Sequence, residues 1–188
     1  MNNNTSIVAE DDLIYLRRVS KDDLDCFYLW YKDPEIQEPM ANPNWDPDRS
    51  KDDYRPIFLH RHLLQTGSSL TLTICLKEEN TAIGLVHYYD IDREAGGCNF
   101  GVIVGEKKQW RRGIATSAVK LATAHIFDTA DLKNIFCNIL QTNRRSIGLF
   151  KKCGFVFHEV THDSGIEFLR YRLLRSETTS PPENRQPD

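Results

Sequence analysis

Apolar residues recur with two different periods along the chain, and these periods predict its secondary structure. Positions 70, 72, 74 and 76 are apolar and alternate with Thr or Cys, which is the period-two pattern of a β-strand. Between positions 21 and 32, four apolar side chains instead follow helical spacing. Ser20 is a suitable N-cap for that helix, and Asp33-Pro34 predicts its end.

The same patterns, with glycine and proline as boundaries, predict the order of elements for the whole chain. A strand is followed by two helices and three strands, and then by a helix, a strand, a helix and a closing hairpin. The predicted strands span residues 14–18, 70–76, 82–89, 98–104, 134–140, 155–160 and 167–174, and the predicted helices 21–32, 52–64, 113–127 and 144–152. This order is typical of a mixed α/β (α+β) fold with helices on both faces of one sheet.

Both ends of the chain are polar, so we expect a single domain over residues 13–175. Residues 1–12 are predicted to form a loose arm. Residues 176–188 contain three prolines and no apolar side chain, which predicts a disordered tail. A hydrophobic fraction of 40% in 188 residues is enough for one sizeable core.

Charge and cysteine content argue against several classes of protein. The net charge is −3, which does not suggest a surface for nucleic acid. Five scattered cysteines without a C-x-x-C pair argue against a disulfide framework and a zinc site. The first residues lack the features of a secretory signal, and no apolar run approaches the ~18 residues that cross a bilayer. We therefore expect a cytoplasmic protein that binds neither membranes nor metal.

Charge is distributed unevenly along the chain. Residues 1–53 contain thirteen Asp and Glu against six Lys and Arg, whereas residues 106–152 contain three against ten. One interpretation is an acidic substrate side and a basic cofactor side. The other is two solvated faces of opposite sign, and the sequence does not choose between them.

The segment from Asn99 to Thr116 contains the clearest chemical signal. A predicted strand ends near Val104, a basic turn follows, and Gly113 opens a helix whose first turns hold small side chains. Backbone N–H groups at such a helix start bind phosphate oxygens, and arginines beside them grip phosphate with two hydrogen bonds. The segment therefore predicts a pyrophosphate site. An ordinary strand-to-helix connection with a solvated basic turn is the alternative.

Two motifs in the second half of the chain resemble the GNAT acetyltransferases. Residues 109–115, QWRRGIA, resemble the family's Q/R-x-x-G-x-G/A loop. Residues 143–155, NRRSIGLFKKCGF, resemble its N-x-x-S/A-x-x-L-Y-x-K-x-G-F motif. The segment from Leu16 to Glu35 is similar to the branch that includes ribosomal-protein, spermidine and amino-sugar-nucleotide acetyltransferases.

The resemblance implies a fold and a cosubstrate. The sheet would be mostly antiparallel, with about seven strands, and would splay at its centre beside Phe100–Val104. Backbone groups of that strand would bind the pantetheine arm of acetyl-CoA, and Lys152 would approach its 3′-phosphate. The residues implied in cofactor binding are Val102, Ile103, Val104, Gln109, Arg111, Arg112, Gly113, Ile114, Ala115, Thr116, Asn143, Ser146 and Lys152.

Phe150 departs from the family pattern, because it stands where the resemblance places a tyrosine that protonates the leaving sulfur. A thiol has a pKa of ~8.5, so its thiolate can leave without an acid. Alternatively another donor serves, such as Tyr88, Ser146 or a water molecule. A third alternative is a protein that binds acetyl-CoA without efficient turnover.

A general base is needed because amines with a pKa near ~10 are mostly protonated at neutral pH. Asn99 stands where some relatives carry a glutamate. The remaining candidate bases are His87, Asp90, Asp92, Glu35 and Glu38, and each of them also fits an ordinary structural role. The candidate catalytic positions are thus His87, Tyr88, Asn99 and Phe150.

Candidate substrate contacts come from the N-terminal third and the end of the third predicted strand: Glu35, Glu38, Trp45 and Asp90. Trp45 either covers the substrate pocket or simply packs. His60 and His62 lie two apart on a predicted helix and do not share a face, so they are poor metal ligands.

These observations predict transfer of an acetyl group from acetyl-CoA to a primary amine of a small polar molecule. A polyamine, an amino-sugar nucleotide and an aminoglycoside-like amine all fit, and the acidic N-terminal third favours a cationic one. The alternatives are an acetyltransferase for protein N-termini and a catalytically weak regulatory module that binds acetyl-CoA. We expect a monomer or a homodimer.

Overall fold

The computed structural model describes residues 6–64 and 66–175, whose eight strands form one sheet in the order β1-β2-β3-β4-β5-β6-β8-β7. The strands are β1 (Ile7–Glu10), β2 (Ile14–Arg18), β3 (Leu70–Leu76), β4 (Thr81–Asp92), β5 (Gly97–Val104), β6 (Asn134–Ile139), β7 (Val156–Asp163) and β8 (Ile166–Leu174). The helices are α1 (Leu24–Lys32), α2 (Pro34–Gln37), α3 (Lys51–Phe58), α4 (Ile114–Thr129) and α5 (Arg144–Lys152).

Neighbouring strands are antiparallel except for β5 and β6, which run parallel. The predicted mixed, mostly antiparallel sheet is therefore confirmed. It has one strand more than predicted, because Ile7–Glu10, inside the predicted loose arm, pairs with β2. This pairing satisfies backbone groups along the outer edge of β2. The predicted disordered tail, residues 176–188, lies outside the described residues.

Helices cover both faces of the sheet, as predicted. Tyr88 and Phe100 point to one face and belong to a large apolar cluster with α4 and α5. Leu85 and Ile103 point to the other face and pack in a smaller cluster with α1 and α3. Because side chains alternate along a strand, neighbouring residues of β4 and β5 face opposite helical layers.

The helix predicted over residues 52–64 changes its geometry part-way. It is α-helical over Lys51–Phe58 and continues as a π-helical turn over Leu59–Leu63. In this turn His62 packs against Phe27, with ring centroids 5.3 Å apart. Such wider turns are rare and often lie at functional sites. The helical spacing used for the prediction did not indicate this aromatic contact of His62.

Candidate active site

β5 and β6 separate along their length and leave a gap at the centre of the sheet. Their pairing covers only three residues of each strand and ends at Asn99 and Phe136. Beyond that point, and wholly within the described part of the chain, β5 runs to Val104 and β6 to Ile139 without pairing to each other. The gap thus lies beside Phe100–Val104, where the sequence predicted a splay.

The backbone groups of β5 alternate between this gap and β4. The Gly105 N–H donates to a β4 carbonyl oxygen at 2.8 Å. By alternation the backbone of Ile103 also faces β4, whereas Val102 and Val104 face the gap. The indole N–H of Trp110 donates to the Val104 carbonyl oxygen at 2.7 Å. Val102 therefore directs its N–H and C=O into the gap, and Ile103, also predicted to bind the cofactor, does not.

The N-terminus of α4 has no side-chain cap. Gly113 is its N-cap, with a φ of 84° that glycine adopts without strain. The Ser117 N–H makes the first internal bond, to the Gly113 carbonyl oxygen at 3.0 Å. The N–H groups of Ile114, Ala115 and Thr116 therefore have no acceptor inside the helix. Together with the helix dipole, these groups form a site suited to an anion.

The basic turn before α4 is partly neutralised by its own surroundings. Lys107 binds two carboxylates at the start of α2, at 2.6 and 2.9 Å. Arg112 donates a hydrogen bond to the side-chain oxygen of Gln109, which is buried. Gln109 thus anchors the turn, and its position gives it a structural role. Arg111 is exposed and has a φ of 64°.

α5 connects the gap to the start of α4. Its N-cap, Asn143, accepts a hydrogen bond from the Ser146 N–H at 3.1 Å, and its side-chain amide donates to the Pro39 carbonyl oxygen at 3.4 Å. At the other end, the Cys153 thiol lies 4.0 Å from the Thr116 carbonyl oxygen. The exposed Lys152, next to Cys153, is therefore close to the first turn of α4.

A cleft of 380 Å³ is lined by residues from both faces of the sheet. Val102, Ser146 and Phe150 contribute from the side of α5, and His62 and His87 contribute from the side of α3. Because both helical layers reach the same cavity, the cleft passes through the gap between β5 and β6. This path would bring a group held at α4 and α5 into contact with a molecule on the opposite face.

Of the aromatic residues predicted as catalytic, one lines the cleft and the other does not. Phe150 is buried in its wall, with its ring 5.0 Å from Phe155 and 6.2 Å from Phe100. Tyr88 is fully buried on the α4 face, where its hydroxyl donates to the Ala122 carbonyl oxygen at 2.7 Å. The position of Tyr88 therefore does not support it as the proton donor to the leaving sulfur.

Two histidines of the cleft meet at one threonine hydroxyl. Oγ1 of the buried Thr71 lies 2.7 Å from Nδ1 of His87 and 3.2 Å from Nδ1 of His62. Burial, aided by the charge of Arg61, lowers the pKa of His87 to about 4. Burial, together with the nearby His87 and Arg61, lowers the pKa of His62 to about 3. Both rings are therefore neutral at neutral pH.

This geometry restricts where the ring protons lie. The Thr71 hydroxyl carries one proton and also has the Arg61 carbonyl oxygen within 3.5 Å, so it can donate to at most one of the two Nδ1 atoms. The other Nδ1 must carry a proton and donate to Thr71, which leaves Nε2 of that ring as a free acceptor. At least one of His62 and His87 therefore has an unprotonated Nε2 at neutral pH.

The sequence of residues 14–156 matches the acetyltransferase (GNAT) domain family. The chain belongs to the GNAT acetyltransferases. The matched span contains the β5–β6 gap, the start of α4 and all of α5. A comparison with curated protein sequences gives no match.

Solved structures show the same fold. Spermidine N-acetyltransferase from Vibrio cholerae, in complex with CoA and spermine, has a TM-score of 0.76 at 17% identity, covering 88% of this chain and 98% of that one. The microcin self-immunity acetyltransferase MccE, in complex with acetyl-CoA and AMP, gives 0.74 at 19% identity, with 88% and 94% covered. RimL, a ribosomal-protein α-N-acetyltransferase in complex with CoA, gives 0.73 at 13% identity, with 90% and 98% covered.

The remaining candidates for base or substrate contact lie outside the cleft of this GNAT domain. Asp90 accepts a hydrogen bond from the Asn99 side chain at 3.0 Å. Trp45 packs in the smaller cluster and donates to a backbone carbonyl oxygen of α1. The others are engaged in a turn, an ion pair or an exposed segment: Asp92, Glu35 and Glu38. Their predicted contacts with substrate are therefore not supported by their positions.

Of the two interpretations of the charge distribution, the structure does not support an acidic substrate side. None of the thirteen acidic residues in positions 1–53 lines the cleft. Asp23, for example, is buried between Arg17 and Thr73, at 2.6 and 2.9 Å. Asp25 binds Lys51 at 2.5 Å on the surface. These carboxylates hold local structure together, so their number says little about the acceptor.

Sequence reasoning did not place Arg61 and His62 in the cleft, nor the buried Thr71 behind its two histidines. Thr71 pairs with His87 across β3 and β4, so a correct strand register would have placed these two side by side. The π-helical turn that brings in His62 has no comparable signal in the sequence. In residues 6–64 and 66–175, no helix is long and apolar enough to span a membrane, and no cluster of His, Cys, Asp or Glu is arranged for a metal.

Proposed function

We propose that this GNAT protein transfers the acetyl group of acetyl-CoA to a primary amine of a small polar molecule. One observation carries the proposal: the unpaired backbone of β5 at Val102 and the side chains of α5 line one cleft that crosses the sheet, and the far end of α5 lies against the uncapped start of α4. In α2, α3 and α5 a side chain caps the helix start, whereas α4 leaves its N–H groups open. The complexes of the three relatives with CoA or acetyl-CoA support this cosubstrate.

The start of α4 lies next to the end of α5, and this contact indicates which residues would bind the phosphates of the cofactor. The N–H groups of Ile114, Ala115 and Thr116 would bind the pyrophosphate, with Arg111 and Arg112 beside them. Lys152, close to the same turn, would bind the 3′-phosphate. The backbone of β5 at Val102 would pair with the pantetheine arm and place the thioester in the gap.

The reaction needs a neutral amine beside the thioester. The amine nitrogen attacks the acetyl carbon, the C–N bond forms, and the C–S bond breaks as the sulfur leaves as a thiolate. Another backbone N–H near Val102 that faces the gap would stabilise the oxyanion that develops on the acetyl oxygen. The imidazole with a free Nε2, at His87 or His62, would take the proton that the amine loses. The thiolate is then protonated by water, since Phe150 cannot donate.

The second candidate function is a protein that binds acetyl-CoA and turns over slowly. Phe150 favours it, because this buried phenyl ring lines the cleft where the family motif has a tyrosine hydroxyl. A general acid typically contributes roughly 10²–10⁴-fold in rate. The histidine pair favours the enzyme instead, because it supplies a proton acceptor inside the same cleft. RimL, which shares this fold, acetylates the N-terminus of a ribosomal protein, so a protein N-terminus is the alternative acceptor.

A panel assay separates these functions. Purified protein is mixed with acetyl-CoA and small primary amines or N-terminal peptides, and release of the CoA thiol is followed. We expect turnover with at least one small amine and none with the peptides. Turnover of a peptide alone would favour a protein acceptor. Tight binding of acetyl-CoA without turnover of any acceptor would favour the binding protein.

A further inference from the structure

The acceptor side of the cleft is poor in negative charge. Among the described residues that line the cleft, Asp163 is the only carboxylate and Arg61 is the only lysine or arginine. The imidazoles of His62 and His87 line the same cavity and are neutral at neutral pH. A polycation that entered here would meet one carboxylate and one positive charge, and would gain little electrostatic attraction.

Arg61 is available to a ligand. It lies in the π-helical turn next to His62, is exposed, and lines the cleft. Within residues 6–64 and 66–175 its guanidinium has no ion pair or hydrogen bond, whereas Arg55, six residues earlier, binds Asp52 at 3.5 Å. A guanidinium binds phosphate or carboxylate through two parallel hydrogen bonds, which gives both affinity and orientation.

We infer that the acceptor carries an anionic group, a phosphate or a carboxylate, apart from its amine, and that Arg61 binds this group. The inference rests on the proposed function, because it assumes that an amine occupies the cleft. With its anion at Arg61, an acceptor extends past the neighbouring His62 toward His87 and the gap. A phosphorylated or carboxylated amino sugar has this combination of charges. Arg61 is then the residue that determines specificity among amines.

A matched set of four amines tests the inference. Glucosamine, glucosamine 6-phosphate and glucosaminuronic acid share one ring and one amine and differ at a single carbon, while spermidine supplies a polycation. Each is titrated by calorimetry into protein saturated with CoA, so that binding is measured without turnover. We expect at least one of the two anionic sugars to bind tenfold or more tightly than glucosamine. We expect spermidine to bind most weakly.

Two variants assign the selectivity to Arg61. Arg61→Gln should remove the advantage of the anionic sugars, whereas Arg55→Gln, on the same helical segment outside the cleft, should keep it. A preference for the phosphate over the uronate, or the reverse, identifies the anion. Equal binding of charged and neutral sugars, tighter binding of spermidine, or no binding of any amine would overturn the inference.

The same samples keep this inference separate from the proposed function. Thiol release is measured for each amine with acetyl-CoA. Selective binding of an anionic sugar without any turnover would contradict the proposed acetyl transfer and support the charge selectivity. Turnover of glucosamine and its anionic forms with equal kcat/KM would support acetyl transfer and contradict the role of Arg61.

Discussion

The two ends of the cleft are built from different kinds of chemical group. The cofactor end is backbone: the unpaired edge of β5 at Val102 and the open N–H groups at the start of α4. The acceptor end is side chain: His62, Thr71 and His87 meet there. A backbone site tolerates most side-chain changes and is sensitive to charge and shape at a few points. A side-chain site depends on each member, so substitutions there should affect turnover more than cofactor affinity.

The largest effect is expected from removal of the imidazole at position 87. His87→Gln should lower kcat by roughly 10²–10⁴-fold, because a proton acceptor beside the thioester is lost. The affinity for CoA should not change, since His87 lies on the face opposite α4. Steady-state kinetics and calorimetry measure the two quantities. His60→Gln, in the exposed part of the same π-helical turn as His62, is the control. A decrease in kcat of less than threefold would show that His87 is not the proton acceptor.

The second effect contrasts charge with shape at the helix start. Gly113→Asp should weaken CoA binding by about tenfold or more relative to Gly113→Asn, because only the aspartate repels phosphate. The two side chains are nearly isosteric and share the cost of the positive φ at Gly113, so the pair isolates the charge. Calorimetric dissociation constants that agree within twofold would place the phosphates elsewhere.

The third effect tests Thr71 as a positioning residue. Thr71→Val removes the hydroxyl that holds both imidazoles and should lower kcat by about tenfold, with little change in the affinity for CoA. Thr71→Ser keeps the hydroxyl and should restore most of the rate. If Thr71→Val and Thr71→Ser lower kcat equally, Thr71 acts through packing and not through its hydrogen bonds.

The fourth prediction concerns stability against acid. Unfolded histidines take up protons below a pH of about 6.5, whereas folded His62 and His87 stay neutral down to about 3 and 4. Because the unfolded state binds more protons in this range, the melting temperature should fall as the pH drops from about 6.5 towards 4. The double variant His62→Phe, His87→Phe should show a shallower fall. An unchanged slope would mean that other groups cause the acid sensitivity.

The smallest effect is expected at Phe150, where the two ends meet. Phe150→Tyr adds one oxygen at the ring edge and keeps the packing against Phe100 and Phe155. We expect normal folding and a rate at least equal to that of the parent, with a gain below about tenfold. A tenfold loss in kcat at unchanged CoA affinity would show that the ring is only a wall of the cleft.

The difference between the two ends also explains what the sequence allowed us to predict. The cofactor end could be predicted because its signal lies in consecutive residues. A strand, a basic turn, Gly113 and small side chains mark the start of α4 without any long-range contact. Asn143 and Phe150 belong to a second short motif of this kind. For the same reason the order of the longer elements and the two helical layers were predicted correctly, whereas the short β1 and α2 were not predicted.

The acceptor end depends on contacts between segments distant in sequence. β4 is almost continuously apolar, so its alternation is too weak to show that His87 faces the cleft while Tyr88 faces α4. Thr71 reaches His87 only through the β3–β4 register, and His62 reaches Thr71 only through the π-helical turn. The number of acidic residues in the N-terminal third was a poor guide to the acceptor for a related reason. A count along the chain does not show which carboxylates bind neighbouring cations.

The most direct test of the account is amide hydrogen exchange, followed residue by residue by NMR with and without CoA. We expect CoA to slow exchange at Val102 and at Ile114, Ala115 and Thr116, because these N–H groups would donate to the pantetheine arm and the pyrophosphate. The amide of Ile103, already directed to β4, should change little. Protection confined to other residues, or no binding of CoA at millimolar concentration, would contradict the assignment of the gap and the start of α4 as the acetyl-CoA site.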